Sequence, residues 1–488
     1  MKTHLFTLIA ILISIATYSQ TIVPPGTISG TWTLAGSPYL IEGMTWISDT
    51  ESLTIEPGVL VEWQGSFTMY VQGQILALGT ETDSITFTAA DPSTGFKSIR
   101  FIETPSGNDT SRFVYCIFKY GNVYGPTPDN AGGALASLNF SKIIVDHCLF
   151  ADNKALEFNI ENPSGGAIAL DASSPLIRNS KFINNESYWG GAIFCCNGSH
   201  PLIENNVFAN NTATLNAGAI LCAVESDPII DHNLFYGNTS LVYSGAIEVS
   251  YNCSTQIINN TIANNHASNG GGSFLISNDC NVLVKNTILW GNTADGGGNQ
   301  VYIYDNTNVL DFYYCDIEGG EEEFGGVPFL GEYEDNIDYD PEFEDIEVGD
   351  YHLTEDSPCI DAGDPEMFDP DGTISDIGAF FYDQTVGFSE FSVQNSGFGI
   401  GCYPNPSSGI SEIKYRLQVG SRQSTVGSHV RLSIYDMRGK EFRTIVNEEQ
   451  TAGEYTIPFD VSDLPNGFYL IRLQTGERIE TTKLVLMK

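Results

Sequence analysis

The chain has 488 residues, of which 42% are apolar and 17% are charged, enough for a sizeable hydrophobic core and for more than one domain. With 61 Asp and Glu against 21 Lys and Arg, its net charge is −40. This excludes nucleic acid as a partner, because phosphates require Lys and Arg, and it disfavours polyanions such as pectate unless Ca²⁺ bridges the like charges.

Residues 1–19 have the composition of a signal peptide. Lys2 precedes the apolar run Leu5–Ala16, and small side chains occupy the −3 and −1 positions before Gln20. The apolar run is too short to span a bilayer comfortably. We therefore predict a mature chain that is exported through the periplasm and has no transmembrane segment.

A unit of about 27 residues repeats through the middle of the chain and is clearest in "GGAIFCCNGSHPLIENNVFANNTA", residues 190–213. Each unit holds three short apolar runs between turn residues, a pattern typical of strands rather than helices. Three strands per unit predict one coil of a solenoid, in which equivalent residues stack roughly 4.8 Å apart in parallel sheets. The first strands begin at Gly133, Gly166, Gly191, Gly218, Gly245 and Gly272.

Two columns of apolar residues are expected to fill the solenoid. Alternation in the first strand places Ile193 and Cys195 inside and Phe194 outside. The first predicted column is Leu135, Ile168, Ile193, Ile220, Ile247 and Phe274. The second marks the third strand of each unit: Phe118, Phe150, Phe182, Phe208, Phe235, Ile262 and Ile288.

Asparagine recurs at the bends of the unit. One set lies between the second and third strands: Cys148, Ser180, Asn206, Asn233, Asn260 and Asn286. Another follows the third strand: Asn122, Asn153, Asn185, Asn211, Asn238, Asn265 and Asn292. Asn tolerates left-handed backbone conformations, and its amide can bond to the Asn of the next coil. We interpret the first set as a structural ladder; the alternative is that its residues contact a ligand.

The repeated units over roughly residues 111–318 resemble the right-handed parallel β-helix of the pectate-lyase-like family. Residues 53–103 look like the opening coils of such solenoids, and residues 22–52 would help to cap the first end. The resemblance implies an all-β chain whose right-handed parallel β-helix, with its N-terminal cap, covers residues 20–326. A small C-terminal β-sandwich is expected to follow it.

Residues 327–383 contain "SPCIDAGD" and "DIGAFFY" and carry no Lys or Arg. They resemble the module that closes β-helices in the choice-of-anchor Q group. The loop "DPDGTISD" places Asp369, Asp371 and Asp376 around a Gly turn, and oxygen ligands on such a loop suit Ca²⁺. The alternative is an Asx turn with solvated charges, since the spacing is not that of an EF-hand.

After a linker at residues 384–402, residues 403–488 begin with "YPNPSSG" and continue with alternating strands and Gly turns. This pattern predicts a small β-sandwich. The segment resembles the type A C-terminal sorting domain of the Bacteroidetes type IX secretion system. The resemblance implies that the type IX machinery is a partner and that the product is either released or attached to the outer-membrane surface.

The chain has ten cysteines. Cys253 and Cys280 are one coil apart in the same turn, and stacked coils bring Cα atoms within the separation that a disulfide needs. We predict a bridge between them. Cys195 and Cys222 are also one coil apart, but they lie in the inward column and are as well explained as buried thiols.

Catalytic residues are hard to identify because only nine Lys or Arg lie between residues 21 and 400. Arg178 falls in a column with Asp146, Glu204 and Asp231. By resemblance to pectate-lyase-like enzymes, it could be a lyase base beside a Ca²⁺ site; the alternative is a set of ion pairs across coils. Carboxylate pairs for a glycoside hydrolase are too common in this composition to be informative.

The sequence pattern expected of a glycan site is clearer than that of a catalytic site. Trp189 and Tyr243 occupy equivalent positions two coils apart, and insertions at residues 120–131 and 154–164 rise from the same edge and would wall a groove. Aromatic faces beside polar side chains suit a sugar. The candidate ligand residues are Trp189, Tyr243, Asp129, Lys154, Glu157 and Glu161. Ordinary exposed aromatics in turns would explain the same pattern.

These features together favour an exported cell-surface or extracellular β-helix protein that binds a glycan or acts as an adhesive module. A polysaccharide lyase or glycoside hydrolase acting on the β-helix face is one alternative. A purely structural surface protein is the other. Ca²⁺ is the one cofactor that the sequence suggests, and polysaccharide is the predicted ligand.

Overall fold

The computed structural model describes residues 20–126, 128–155, 163–384, 399–403, 410–417, 428–436, 440–451, 453–460, 464, 467–475 and 478–486. The predicted signal peptide and most of the predicted linker lie outside these ranges. The chain divides into two compact units, Met1–Tyr382 and Asp383–Lys488.

The first unit is a solenoid in which the described residues form three parallel sheets of twelve strands each. Successive coils pair in parallel register, so each residue stacks on its equivalent in the next coil. Sheet 1 contains Gly26–Thr27, Thr45–Ile47, Met69–Val71, Ile99–Phe101, Leu135–Leu138, Ile168–Asp171, Ile193–Cys196, Ile220–Ala223, Ile247–Ser250, Phe274–Ser277, Val301–Ile303 and Gly325–Gly326.

Sheets 2 and 3 complete each coil. Sheet 2 contains Gly30–Trp32, Ser52–Ile55, Gln74–Leu78, Ser111–Val114, Ile143–Asp146, Leu176–Arg178, Leu202–Glu204, Ile229–Asp231, Ser254–Ile258, Asn281–Lys285, Val309–Tyr313 and Tyr333–Glu334. Sheet 3 contains Thr21–Val23, Tyr39–Ile41, Leu60–Trp63, Ile85–Ala89, Cys116–Lys119, Leu149–Ala151, Lys181–Ile183, Val207–Ala209, Leu234–Tyr236, Thr261–Ala263, Ile288–Trp290 and Asp316–Ile317.

A fourth parallel sheet lies between sheet 3 and the next strand of sheet 1. Its described strands are Asn122–Val123, Lys154–Ala155, Glu186–Trp189, Thr212–Asn216, Thr239–Ser240, His266–Ala267 and Thr293–Ala294. Two short 3₁₀ turns, Leu34–Gly36 and Gly320–Glu323, are the helices of the described chain. Neither has the length or hydropathy to cross a bilayer.

Both predicted apolar columns are present in the core. The inward column of sheet 1 is in register from Leu135 to Phe274, and its members are at most 2% exposed. In sheet 3, the rings from Phe118 to Phe235 stack with centroids 4.6–4.9 Å apart. Leu289 rather than Ile288 continues that column, because Ile262 pairs with Leu289. Ile288 faces outward and is buried in a separate cluster.

The Asn residues that follow the third strand form a ladder from Asn153 to Asn292. Each side-chain Nδ2 donates to the Oδ1 of the next rung at 2.9–3.0 Å, and each Oδ1 also accepts a backbone N–H. Asn122 is not a rung, since Gly121 is the residue whose N–H donates to Asn153 Oδ1.

The ladder between the second and third strands runs from Cys148 through Ser180, Asn206, Asn233 and Asn260. Its next rung is Thr287 and not the predicted Asn286. Asn286 lies one residue earlier and has a φ of 48°. The left-handed positions are therefore the residues before the rungs, and the rungs themselves satisfy backbone groups.

We expect the Asn211→Ala substitution to lower the free energy of unfolding by about 2 kcal/mol or more, because it leaves buried donors and acceptors without partners. Asn211 Nδ2 donates to Phe182 O and Asn238 Oδ1, and its Oδ1 accepts from Asn185. Urea unfolding followed by circular dichroism measures the change. Lys181→Ala, at an exposed position one coil away, is the control; equal effects of the two substitutions would contradict the role of the ladder.

The ends of the solenoid differ from the predicted boundaries in detail. Strands of all three sheets already occur between Thr21 and Trp32, so the predicted N-terminal cap is itself made of coils. At the other end, Phe324, Phe329 and Tyr333 pack on Phe312 and cover the last apolar layer.

Residues 343–382 form a module that lies along the side of the solenoid, although the resemblance implied a module that closes its end. Its antiparallel hairpin is Phe343–Asp345 with Asp350–Leu353. The module packs on the outer side of sheet 3: Tyr351 Oη accepts from Asn264 Nδ2 at 2.9 Å, and Ala379 N donates to Thr261 Oγ1 at 3.0 Å. Sheet 3 is therefore covered over several coils.

The second unit contains two antiparallel sheets in its described part. One consists of Gly399–Tyr403, Ile410–Leu417 and Gly453–Asp460, and the other of Glu441–Gln450, Ser428–Asp436, Gly467–Thr475 and Arg478–Leu486. One apolar core, which includes Ile413, Leu432 and Ile471, contains residues of both sheets. The predicted β-sandwich pattern is present in these strands.

The described cysteines are free thiols. The predicted Cys253–Cys280 disulfide is therefore absent from this structure, in which Cys280 Sγ accepts a hydrogen bond from Cys253 N at 3.3 Å. Cys195 and Cys222 are fully buried, as expected for thiols that fill the core.

Candidate functional site

One position on the outer face of sheet 1 is apolar in most coils. Alternation along each strand turns its second residue outward, and the parallel register stacks these residues in a row along the solenoid. From the fourth coil onward the row is Arg100, Ala136, Ala169, Phe194, Leu221, Glu248, Leu275 and Tyr302. Most of these side chains are buried by their neighbours, and Phe194 and Tyr302 are the partly exposed members of the row.

A groove with a cavity of about 220 Å³ lies at the N-terminal part of this row. Ala136 and Ala169 form its floor, where the small side chains leave space. Trp189 and Phe194 form one wall, with ring centroids 6.2 Å apart and planes inclined by 21°. The groove therefore combines an apolar floor with an aromatic wall.

The opposite wall is the segment from Pro128 to Ala131, which Arg100 holds in place. Arg100 is 1% exposed and donates to Pro128 O, Asp129 O and Ala131 O at 2.8–3.0 Å. Burial lowers the pKa of its guanidinium, while the nearby Asp129 opposes this effect. Arg100 is thus a structural support of the wall.

The polar rim of the groove contains Asp171 and Asn197. Asn197 Nδ2 donates to Asp171 Oδ1 at 2.9 Å, and both residues line the cavity. A carboxylate paired with an amide offers acceptors and a donor to the hydroxyl groups of a ligand.

The candidate ligand residues from the sequence are distributed unevenly. Trp189 lines the groove. Asp129 lies within the wall segment but does not itself line the groove, and its carboxylate pairs with Lys97 Nζ at 3.1 Å. Lys154 pairs with Glu186 at 2.7 Å in sheet 4 and does not line the groove. Glu157 and Glu161 lie outside the described residues.

Tyr243 shares an edge column with Trp189, as the spacing predicted. Trp189 pairs with Asn216, and Asn216 pairs with Tyr243. The ring of Tyr243 lies 6.1 Å from that of Tyr302 and 6.0 Å from that of Tyr304. The three tyrosines form a cluster, here called the tyrosine cluster, at the C-terminal part of the face.

Glu248 is a buried carboxyl group in the same row, between Leu221 and Leu275. Its residue is 4% exposed, and Oε1 accepts from Asn216 Nδ2 at 2.9 Å. Burial raises its pKa to about 7, although hydrogen bonds from Asn216 and Ser250 oppose the shift. Sequence reasoning missed Glu248, together with Arg100 and Tyr302; their shared outward position in sheet 1 was the signal that could have found them.

The Arg178 column has the geometry of ion pairs across coils. Arg178 Nε and Nη2 both donate to Asp146 Oδ2, at 3.0 and 2.9 Å, and Nη1 lies 3.9 Å from Glu204. Burial raises the pKa of Asp146, but hydrogen bonds from Asn179, Arg178 and His147 outweigh it and leave the pKa below its usual range. This arrangement favours ion pairs across coils over a lyase site.

The predicted Ca²⁺ ligands lie near one another, and their carboxylates accept hydrogen bonds from nearby backbone and side-chain groups. Asp369 Oδ2 accepts from Asp376 N, Asp376 accepts from the backbone of Asp361 and Tyr382, and Asp371 accepts from Thr373. Burial raises the pKa of Asp369 to about 7 and also raises that of Asp376. Across the described ranges, His, Cys, Asp and Glu form no group of three suited to a metal ion, and the Ca²⁺ site stays a prediction.

Comparisons with known proteins agree with the two units. Residues 106–262 match the family model described as a right handed beta helix region, and residues 401–487 match a secretion system C-terminal sorting domain. The comparison with curated proteins gives no match. The chain is thus an exported β-helix protein. Its type IX sorting domain indicates secretion or attachment to the cell surface.

We expect Glu248→Gln to remove one part of the pH dependence of stability. A carboxyl group whose pKa is raised in the folded state stabilises that state fully below its ordinary pKa of 4.5. This stabilisation is lost as the pH rises through about 7. The unfolding midpoint of the unmodified chain should therefore fall, relative to that of the variant, as the pH rises through this window. Parallel curves for the two chains would contradict a buried, protonated Glu248.

Proposed function

We propose that this exported protein binds a glycan in the groove on the outer face of sheet 1. The observation that supports this most is the aromatic wall of Trp189 and Phe194 beside the alanine floor. A sugar ring has an apolar C–H face that packs on aromatic side chains, and its hydroxyl groups need polar partners at the rim. Asp171 and Asn197 supply such partners.

The charge of the groove favours a neutral glycan. Arg100 is the one basic residue among the described residues that line it, and its donors are directed to the carbonyl groups of Pro128, Asp129 and Ala131. With a net charge of −40 on the whole chain, an anionic polysaccharide would meet repulsion without a matching cation. A neutral polysaccharide meets no such repulsion and needs no cation.

The export signals are consistent with this role. A chain that carries a type IX sorting domain reaches the cell surface or the medium, where polysaccharides are accessible ligands. Binding there would attach the protein, or the cell that displays it, to glycan material. Adhesion is therefore the biological form of the proposed activity.

The test is a panel of neutral polysaccharides, such as laminarin, xylan and a soluble cellulose derivative, in affinity gel electrophoresis with the purified chain, with and without Ca²⁺. We expect retardation by at least one polysaccharide and a loss of about tenfold or more in affinity in Trp189→Ala. Tyr339→Ala, at a 64% exposed position between the solenoid and the flanking module of residues 343–382, is the matched control and should bind normally.

Two outcomes would contradict the proposal. The release of reducing ends or of unsaturated products in the same mixtures would indicate a hydrolase or a lyase. The absence of retardation across neutral and anionic polysaccharides would favour a purely structural role. A requirement for Ca²⁺ would revive the predicted cation site, which Asp371→Asn would then test.

A further inference from the structure

The tyrosine cluster lies on the same face as the groove but further along the solenoid. Tyr302 is the outward residue of Val301–Ile303, and Tyr304 follows this strand with 53% of its surface exposed. Tyr302 lies four coils beyond Phe194 along the solenoid. At roughly 4.8 Å per coil, the cluster begins about 10 Å from the groove wall, at Tyr243, and ends about 19 Å from it.

Asn216 joins the two aromatic surfaces. It pairs with Trp189 on one side and with Tyr243 on the other, so the edge of the face reads Trp189, Asn216, Tyr243 in consecutive coils. Its exposure is intermediate. A ligand that passes from one aromatic surface to the other must therefore cross this amide.

The buried Glu248 fixes the orientation of the Asn216 amide. Because Asn216 Nδ2 donates to Glu248 Oε1 at 2.9 Å, the amide oxygen of Asn216 is left as its acceptor. Glu248 Oε2 is buried and has no hydrogen-bond partner among the described residues. A carboxyl group in a row of Ala, Phe and Leu gains little stability for the fold, so its position calls for another explanation.

We infer that Asn216 and the tyrosine cluster form a second subsite, with Glu248 as the residue that positions Asn216, and that the ligand is an extended neutral polysaccharide chain lying along the solenoid axis. The inference rests on the proposed function and specifies its ligand. A disaccharide in the groove reaches only Trp189 and Phe194. A longer chain also contacts Asn216 and Tyr243, and this second contact forms at high effective concentration once the first is made.

The test compares a disaccharide and a hexasaccharide derived from the polysaccharide that binds in the panel, with isothermal titration calorimetry on the full chain. We expect the hexasaccharide to bind about tenfold more tightly or better. Tyr243→Ala should lose this gain and keep the affinity for the disaccharide. Trp189→Ala should weaken both. Tyr304→Ala, which removes a mostly exposed ring, is the second variant if Tyr243→Ala fails to fold.

The outcomes separate the two proposals. Equal affinities for the two lengths, or normal hexasaccharide binding by both tyrosine variants, would overturn the second subsite and leave the groove in place. If neither oligosaccharide binds, both proposals fall. Tyr339→Ala again serves as the control for a lost exposed tyrosine.

The positioning role of Glu248 needs its own comparison. Glu248→Gln keeps a side-chain oxygen that can accept from Asn216, whereas Glu248→Ala removes it. We expect hexasaccharide affinity to fall several-fold in the alanine variant and to be retained in the glutamine variant, with disaccharide affinity unchanged in both. If Glu248 had a structural role alone, its substitution would change the affinities for both oligosaccharides together. Normal hexasaccharide binding by Glu248→Ala would exclude a role in positioning Asn216.

Discussion

Parallel hydrogen bonding between successive coils is the constraint on which the rest of this structure depends. It places each residue on its equivalent in the next coil, at the spacing of strands in a sheet. A buried side chain is therefore stable only if the equivalent side chains in the adjacent coils pack against it or form hydrogen bonds with it. The stacked rings from Phe118 to Phe235 and the amide ladder from Asn153 to Asn292 are two solutions to this one condition, apolar and polar respectively.

The same register determines how a binding surface arises on such a fold. Side chains at outward positions do not pack in the core, so the residue at one such position can differ from coil to coil. On sheet 1 it changes from Ala136 and Ala169 to Phe194, and the step from small to large residues creates the groove. Regular stacking thus sets the spacing of the site, and irregularity at one position sets its shape.

The periodic parts of the structure could be predicted from the sequence because each is repeated in several coils. The inward column of sheet 1, the Phe column and one Asn ladder follow from the repeat alone. The error of one residue at Asn286, which shifts Ile288 with it, has a local cause. Asn occupies both the rung and the left-handed position before it, as in Asn205–Asn206 and Asn259–Asn260, so adjacent Asn residues leave the local register ambiguous.

The site could be predicted only where it follows the repeat. Trp189 and Tyr243 share a repeated position, and the sequence places them in one column. Arg100 lies in a coil before the regular units, and its role depends on carbonyl groups about thirty residues away. Glu248 is a single exception within its column. The position of the flanking module depends on contacts such as that between Asn264 and Tyr351, which no local pattern encodes.

The three faces of the solenoid differ in what occupies their outer sides, and this difference locates the function. The flanking module covers part of sheet 3 through Leu353, Cys359 and Ile377. Sheet 2 carries charged residues that pair with each other across coils, as Arg178 does with Asp146. On sheet 1, a groove lies between the rings of Trp189 and Phe194 and the segment from Pro128 to Ala131. An apolar groove with a polar rim is a typical ligand site, and this is the strongest physical reason to propose a binding activity for this face.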